Sequence, residues 1–188
     1  MKVLALNGSP DSGGNVEFLL DKVLSFCAQK GAEVDKVKVL DVLNQHKWFP
    51  CINCSSPCNQ SCFKGTDMEV VFDKMRAADC IILCSPVYYG TVSGILKCFW
   101  DKTGTLRGEK ALVGKKAAAI TSGHGIFGGQ ETTLRALHDM ALIQGMSIIG
   151  DGSAEFDAGH HGVASSGNAR SHSYALQRCE ILASRIMS

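Results

Sequence analysis

Cys51, Cys54, Cys58 and Cys62 fall within twelve positions, and no other residues in the chain point so directly to chemistry by type and spacing. Thiolates are soft ligands, and the run Cys51-x2-Cys54-x3-Cys58-x3-Cys62 sets four of them on one short segment that can wrap a compact centre without long-range loop closure. Four is the ligand number of a [4Fe–4S] cluster and also of structural zinc. Zinc sites commonly separate two cysteine pairs by roughly a dozen residues or more, whereas the middle gap here is three. The compact spacing favours the cubane cluster, with zinc or a run without metal as the alternatives. The other five cysteines, Cys27, Cys80, Cys84, Cys98 and Cys179, sit in apolar runs and read as core.

Three further segments have side chains suited to small-molecule binding. Asn7-Gly8-Ser9-Pro10-Asp11-Ser12-Gly13-Gly14-Asn15-Val16 joins an apolar run to a helical pattern, so its amides converge on the positive end of a helix dipole, where a phosphate fits. Ser9, Ser12 and Asn15 add donors, and the glycines allow close approach. The segment carries neither GxxxxGK[ST] nor GxGxxG, which argues against an ATPase or a Rossmann dinucleotide site. Pro86-Val87-Tyr88-Tyr89-Gly90 offers a rigid turn and two aromatic rings against which a planar ring system can pack. Thr121-Ser122-Gly123-His124-Gly125 would close the other side.

These segments need elements to position them. Lys2 to Leu6 reads as a buried strand, and Val16, Leu19, Leu20, Val23, Leu24 and Cys27 as a helix face that Asn15 can cap and Lys30-Gly31 ends. Val34 to Leu40, Cys80 to Cys84, Ala117 to Thr121 and Met146 to Ile149 read as further strands. Helices are expected over Met68 to Ala77, along Val92 to Trp100, along Leu134 to Ala141 and along Leu176 to Ile186. Residues 44–66 have no periodicity and hold the whole cysteine run, so they read as a functional loop. Five strand–helix alternations predict an α/β fold: a doubly wound, five-stranded parallel sheet of order 2-1-3-4-5 with an inserted cysteine-rich loop. Ligands in that architecture lie beyond the carboxyl ends of the strands, where all three segments fall.

At 188 residues the chain reads as one domain, 1–188, with the cysteine loop at 44–66. It is 45% hydrophobic and 20% charged, enough for an ordinary core. Nineteen basic against eighteen acidic residues leave +1, which supplies no general attraction to nucleic acid or an anionic membrane. MKVLALNGSP breaks too early for a signal peptide and no apolar stretch is long enough to span a bilayer, so a cytoplasmic location is expected. In that reducing compartment dense cysteines point to metal binding or redox chemistry rather than disulfides.

NGSP-x-SGGN after the first strand, SPVYYG-x-VSG-x-LK after the third and TSGHG-x-x-GG after the fourth together resemble the flavodoxin-like NADPH-dependent FMN reductase family, over roughly residues 2–145. The segment from Cys51 to Met68 resembles its iron-sulfur flavoprotein branch. The resemblance implies FMN, with Ser9, Ser12, Gly14, Asn15 and Val16 at its phosphate. It also implies that Pro86, Val87, Tyr88, Tyr89 and Gly90, through the amides of 87–90, and Thr121, Ser122, Gly123 and His124 lie around its ring. Position 16 is commonly Thr in the family, and Val16 offers only its amide, a loss of about 0.5–1.5 kcal/mol of hydrogen bonding. For the cysteines the resemblance implies a [4Fe–4S] cluster, although the run has one residue more than the commoner Cys-x2-Cys-x2-Cys beginning. No side chain is assigned a catalytic role, because hydride transfer to a flavin needs no obligatory acid; His124 reads as a loop histidine, and His160-His161 as surface or substrate mouth.

The implied function is a redox flavoprotein that couples FMN to the cluster, with NAD(P)H or a ferredoxin-type carrier as donor and a small-molecule acceptor. An NAD(P)H-dependent FMN or quinone reductase without a cluster and a noncatalytic redox or oxygen sensor are the alternatives. A homodimer or homotetramer is implied, since such reductases commonly place the flavin at a subunit interface.

Overall fold

The computed structural model describes residues 1–45 and 50–188; Trp48 and Phe49, candidates for shielding the cysteine run, lie outside the described residues. Four strands, β1 (Lys2–Asn7), β2 (Glu33–Lys38), β3 (Cys80–Pro86) and β4 (Lys116–Gly123), pair in parallel, and β5 (Ser147–Ile148) continues the order 2-1-3-4-5. Strands buried on both faces need apolar residues at every position, and β1 alternates its own between two clusters. Leu4 and Leu6 pack towards one layer, Val3 and Ala5 towards the other.

The Val3 layer is closed by helices α1 (Asn15–Gln29) and α7 (Ser173–Met187), through Leu19, Val23, Cys179 and Leu182. The opposite layer is closed by α2 (Val39–Asn44), α3 (Asp67–Ala77), α4 (Gly94–Trp100), α5 (Gly104–Gly108) and α6 (Gln130–Leu142), through Leu43, Phe72, Leu96, Leu106 and Leu137. This is the flavodoxin-like arrangement. Four of the five predicted core cysteines, Cys27, Cys80, Cys84 and Cys179, are fully buried, and Cys98 is half-buried. Burial pushes the thiols of Cys27 and Cys80 up to about 11 and about 12, respectively, so these are packing residues rather than ligands.

The structure departs from the sequence-based elements at two places. The second strand ends at Lys38, and Val39, Val42 and Leu43, spaced three to four apart, turn one face of α2 into the core. The fifth sheet position is shared by two short strands: β5 pairs with Lys116–Ala117, and β6 (Val163–Ser166) pairs with Ile120–Gly123. Residues 149–162 loop out between them and are pinned by Arg178 of α7, which is 2% exposed, donates to the Asp151 carbonyl at 3.0 Å and also pairs with the Asp157 carboxylate. Four residues are too few for a period of two to register in the sequence, so β6 was not expected. No helix is long and apolar enough to cross a membrane among the described residues.

Candidate functional site

The three expected segments meet at the carboxyl ends of β1, β3 and β4, tied by buried hydroxyls. Ser93, fully buried, donates from Oγ to the Gly8 carbonyl at 2.6 Å and caps α4 by accepting from the Leu96 amide at 3.1 Å. Its own amide donates to Ser85 Oγ at 2.8 Å. Thr121 Oγ1 donates to the Ser85 carbonyl at 2.8 Å, and Ser165 Oγ of β6 donates to Ser122 Oγ at 2.9 Å. Thr121 and Ser122 are buried, so their hydroxyls join the strand ends to one another instead of facing solvent.

Close backbone approach completes the crevice. A Cβ at Gly8 would lie 2.9 Å from the Cys84 carbonyl, and one at Gly129 would lie 2.8 Å from Gly90 Cα with φ at +102°. Only glycine lets 7–16 sit on β3 and 123–129 sit on 85–91 in this way. Gln130, the buried first residue of α6, holds the 123–129 loop by accepting from the Gly128 amide at 3.0 Å and donating to the Gly125 carbonyl at 2.5 Å.

In the first segment Asn15 behaves differently from expectation. The α1 N-cap is Gly14, without a side-chain cap, and Asn15 instead donates from Nδ2 to the Gly167 carbonyl at 2.7 Å while its Oδ1 accepts from the Ala169 amide at 3.1 Å. Its side chain thus closes the β6–α7 connection, while the buried Ser9 accepts from the Asp11 amide at 3.3 Å through Oγ. Two cations flank the segment: Lys38 Nζ lies 2.6 Å from Ser12 Oγ, and Arg170 Nη2 donates to the Gly13 carbonyl at 2.8 Å and stacks over Phe18. Glu17 accepts from the Gly13 amide at 2.5 Å, and its carboxyl is held below the usual range, chiefly by the hydrogen bond from Lys36. An uncapped N-terminus of a fifteen-residue helix, small hydroxyls and flanking cations suit a phosphate.

In the second segment the amides are not equally available. Val87 donates to the Ser122 carbonyl at 2.9 Å and Tyr88 to the Thr91 carbonyl at 2.9 Å, so of the four expected donors only Tyr89 and Gly90 are without a protein acceptor among the described residues. Tyr89 has φ of +50°, uncommon for a bulky side chain, and its ring is fully exposed. Such local backbone strain clusters at ligand clamps. His124, Ile126 and Phe127 are exposed on the facing loop. A cavity of 720 Å³ lies between that loop and β6, lined by Phe127, Gln130, Ser165, His172 and Tyr174 among others. His160 and His161 stand off it: His160 Nδ1 is 3.3 Å from Tyr174 Oη, and His161 lies against His138.

The cysteine loop lies between α2 and α3 in the chain and returns beside α5, where Gln60 meets Thr105. Its return is anchored by Phe63, which packs edge-on against Phe72 at 4.8 Å, by Gln60 Nε2 donating to Thr105 Oγ1 at 3.0 Å, by Thr66, whose Oγ1 accepts from the Met68 amide at 3.3 Å to cap α3, and by Glu69, which accepts from the Gly65 amide at 2.6 Å. Cys51, Cys54 and Cys58 are exposed and Cys62 is half-buried. Cys51, Cys54 and Cys62 line one cavity of 270 Å³ together with Lys102, whose Nζ lies 3.8 Å from Cys62 Sγ. Cys58 is not among its lining residues. Among the described residues no three His, Cys, Asp or Glu side chains converge into a metal-binding group. The donors fit an iron–sulfur centre in type and number, and three of them share one cavity beside a buried cation.

Sequence reading located these segments but missed the residues that shape them: Ser93, Gln130, Lys38, Lys102 and the 165–172 wall. Gln130 and Ser93 carried a weak signal as polar residues at helix starts; Lys102 carried none.

Comparison with known proteins agrees with this geometry. The NADPH-dependent FMN reductase family matches residues 1–161, and the chain belongs to that family. An iron-sulfur flavoprotein of Methanosarcina thermophila is 36% identical over 155 residues, covering 81% of this chain and 79% of the relative. A second iron-sulfur flavoprotein, from Methanocaldococcus jannaschii, is 34% identical over 189 residues, covering 99% of this chain and 95% of its own length. Among solved structures, RosB with a bound 8-demethyl-8-formylriboflavin-5'-phosphate intermediate superposes with a TM-score of 0.77 at 13% identity, over 100% of this chain and 77% of its own, a likeness of fold. The protein is therefore an FMN-dependent redox flavoprotein, a flavin-dependent oxidoreductase of the NAD(P)H:acceptor type.

Proposed function

We propose that this chain acts as a single flavodoxin-like unit, 1–188, in which FMN exchanges electrons with a [4Fe–4S] cluster held on the 44–66 loop by Cys51, Cys54, Cys58 and Cys62. NAD(P)H or a ferredoxin-type carrier is the donor and a small molecule the acceptor. The observation that carries the reading is the coexistence, in one chain, of the three-segment crevice and a cysteine cavity backed by a buried cation.

Ser9, Ser12 and the amides of Gly14, Asn15 and Val16 would hold the FMN phosphate, with Lys38 and Arg170 balancing its charge. Pro86 to Gly90 and Thr121 to His124 would bracket the ring, with the Tyr89 and Gly90 amides as the donors available to its polar edge. Donors there favour a negatively charged reduced ring. When bound, FMN supplies hydride and single-electron chemistry, and the cluster supplies single-electron transfer. Val87, Thr121 and Ser122 keep the walls fixed through their internal hydrogen bonds, so the crevice is preorganised. The exposed Tyr89, Ile126 and Phe127 beside the crevice support a homodimer or homotetramer with a second copy covering the flavin. A reducing cytoplasm, in which the four thiols stay available, belongs to the same reading.

The test is anaerobic purification with FMN, iron, sulfide and zinc measured per chain, beside Cys54→Ser. About one FMN with four iron and four sulfide is expected, and Cys54→Ser should lose cluster absorbance while keeping FMN. A full iron complement in Cys54→Ser would overturn the ligand assignment.

The open arrangement of the exposed Cys51, Cys54 and Cys58 favours a second reading, an NAD(P)H-dependent FMN or quinone reductase whose cysteines are structural or hold zinc. It predicts an iron-free protein with full FMN that oxidises NAD(P)H rapidly with quinone.

A further inference from the structure

Lys102 is 3% exposed, yet among the described residues its Nζ makes a single polar contact, 3.8 Å to Cys62 Sγ. No carboxylate lies within ion-pair distance of it among the described residues; neighbouring Asp101 pairs with Lys97 at 2.6 Å instead. Removing an ammonium from water without a counter-charge is costly, so buried lysines are paired. Here the available counter-charge is what the cysteine cavity carries, since Lys102 lines it together with Cys51, Cys54 and Cys62.

The lysine is also held in place. It sits in the 3₁₀ turn Asp101–Thr103 between α4 and α5, where Thr103 Oγ1 donates to the Trp100 carbonyl at 2.7 Å and accepts from Gln144 Nε2 at 2.7 Å. Thr103 and Gln144 are buried. The cation is therefore fixed by the protein core and does not depend on the exposed loop opposite.

We propose that Lys102 is a positioning and tuning residue for the centre held by the cysteines: it directs its ammonium at the Cys62 sulfur and raises the reduction potential of the cluster. This rests on the reading of a [4Fe–4S] cluster at Cys51, Cys54, Cys58 and Cys62. Four thiolates and a cluster core carry net negative charge, and one-electron reduction adds another. A fixed positive charge and N–H donor at one ligand sulfur stabilises the reduced form more than the oxidised one, because hydrogen bonds to sulfur and local net charge set cluster potential.

The experiment compares the intact holoprotein with Lys102→Met, which keeps the length and apolar stem but removes the charge, and Lys102→Arg, which keeps the charge. Iron and sulfide are counted first, and the cluster is then titrated anaerobically with electron paramagnetic resonance as the readout. At fixed ambient potential Lys102→Met should show at least a tenfold lower reduced-to-oxidised ratio, about 59 mV for one electron, and Lys102→Arg should stay near wild type. Loss of iron in Lys102→Met with retention in Lys102→Arg also supports the charge role. An unchanged potential in an iron-replete Lys102→Met overturns the inference, as does equal iron loss in both variants. A wild-type protein without iron would refute the cluster reading itself, a distinct failure seen before any variant is made.

Discussion

Replacing Ser93 by alanine tests whether the crevice is held together as described. The hydroxyl makes two bonds that alanine cannot: it caps α4 through the Leu96 amide, and it satisfies the buried Gly8 carbonyl at 2.6 Å. Loss of a serine N-cap costs about 0.5–2 kcal/mol, and a buried carbonyl left without its donor costs about 1–3 kcal/mol. Together these give roughly 1.5–5 kcal/mol, which for a chain of this size lowers the melting midpoint by about 3–20 °C. Gly8 lies in the segment that would take the FMN phosphate, so the loss should also reach the cofactor. Melting the apoprotein with and without saturating FMN separates the two effects, because ligand stabilisation follows RT ln(1 + [L]/Kd). A tenfold loss of affinity removes about 1.4 kcal/mol of that increment. Ser25→Ala, on the exposed face of α1, is the control and should shift stability by no more than about 0.5 kcal/mol. If Ser93→Ala melts with the control and keeps the full FMN increment, the buried hydroxyl does not organise the crevice.

Gln130→Ala frees the Gly125 carbonyl and the Gly128 amide in a loop that solvent can reach. Titration with FMN followed by flavin fluorescence should show about a tenfold weaker Kd, equivalent to one lost hydrogen bond's worth of loop order, with apoprotein melting nearly unchanged. Arg178→Ala leaves Asp151, which is fully buried, without its counter-charge and should cost about 3–5 kcal/mol; urea unfolding measures this, and limited proteolysis should then cut within 149–162. The Glu17 carboxyl titrates lower in the folded protein than its ordinary 4.5, so the unfolded chain takes up the proton first on acidification. The stability it contributes is present above pH 4.5 and is lost as the pH falls through the folded value. Glu17→Gln should flatten the acid limb of an unfolding-midpoint-against-pH profile below that point.

Much of this protein was written in local sequence. Apolar runs that stop at Asn7-Gly8-Ser9-Pro10 and at Ser85-Pro86 mark strands whose carboxyl ends turn into a site, because a backbone buried on both faces needs uninterrupted hydrophobics and a sharp exit. The sheet order and the placement of the three candidate segments at one edge follow from right-handed strand–helix alternation. The cysteine spacing likewise set four soft donors on one short segment.

Tertiary structure alone decided which atoms remain available for that chemistry. Asn15 looks like a cap or a phosphate donor, but both ends of its amide are taken by Gly167 and Ala169, more than 150 residues away. Two of the four amides over 87–90 are occupied across the sheet or turn, and β6 is recognisable only beside β4. Lys102 reads as one more surface lysine until the fold buries it against Cys62. Sequence periodicity records which face of an element is apolar, whereas the partner of each polar atom is chosen by residues distant along the chain, and it is those partners that set charge, strain and donor supply at the site.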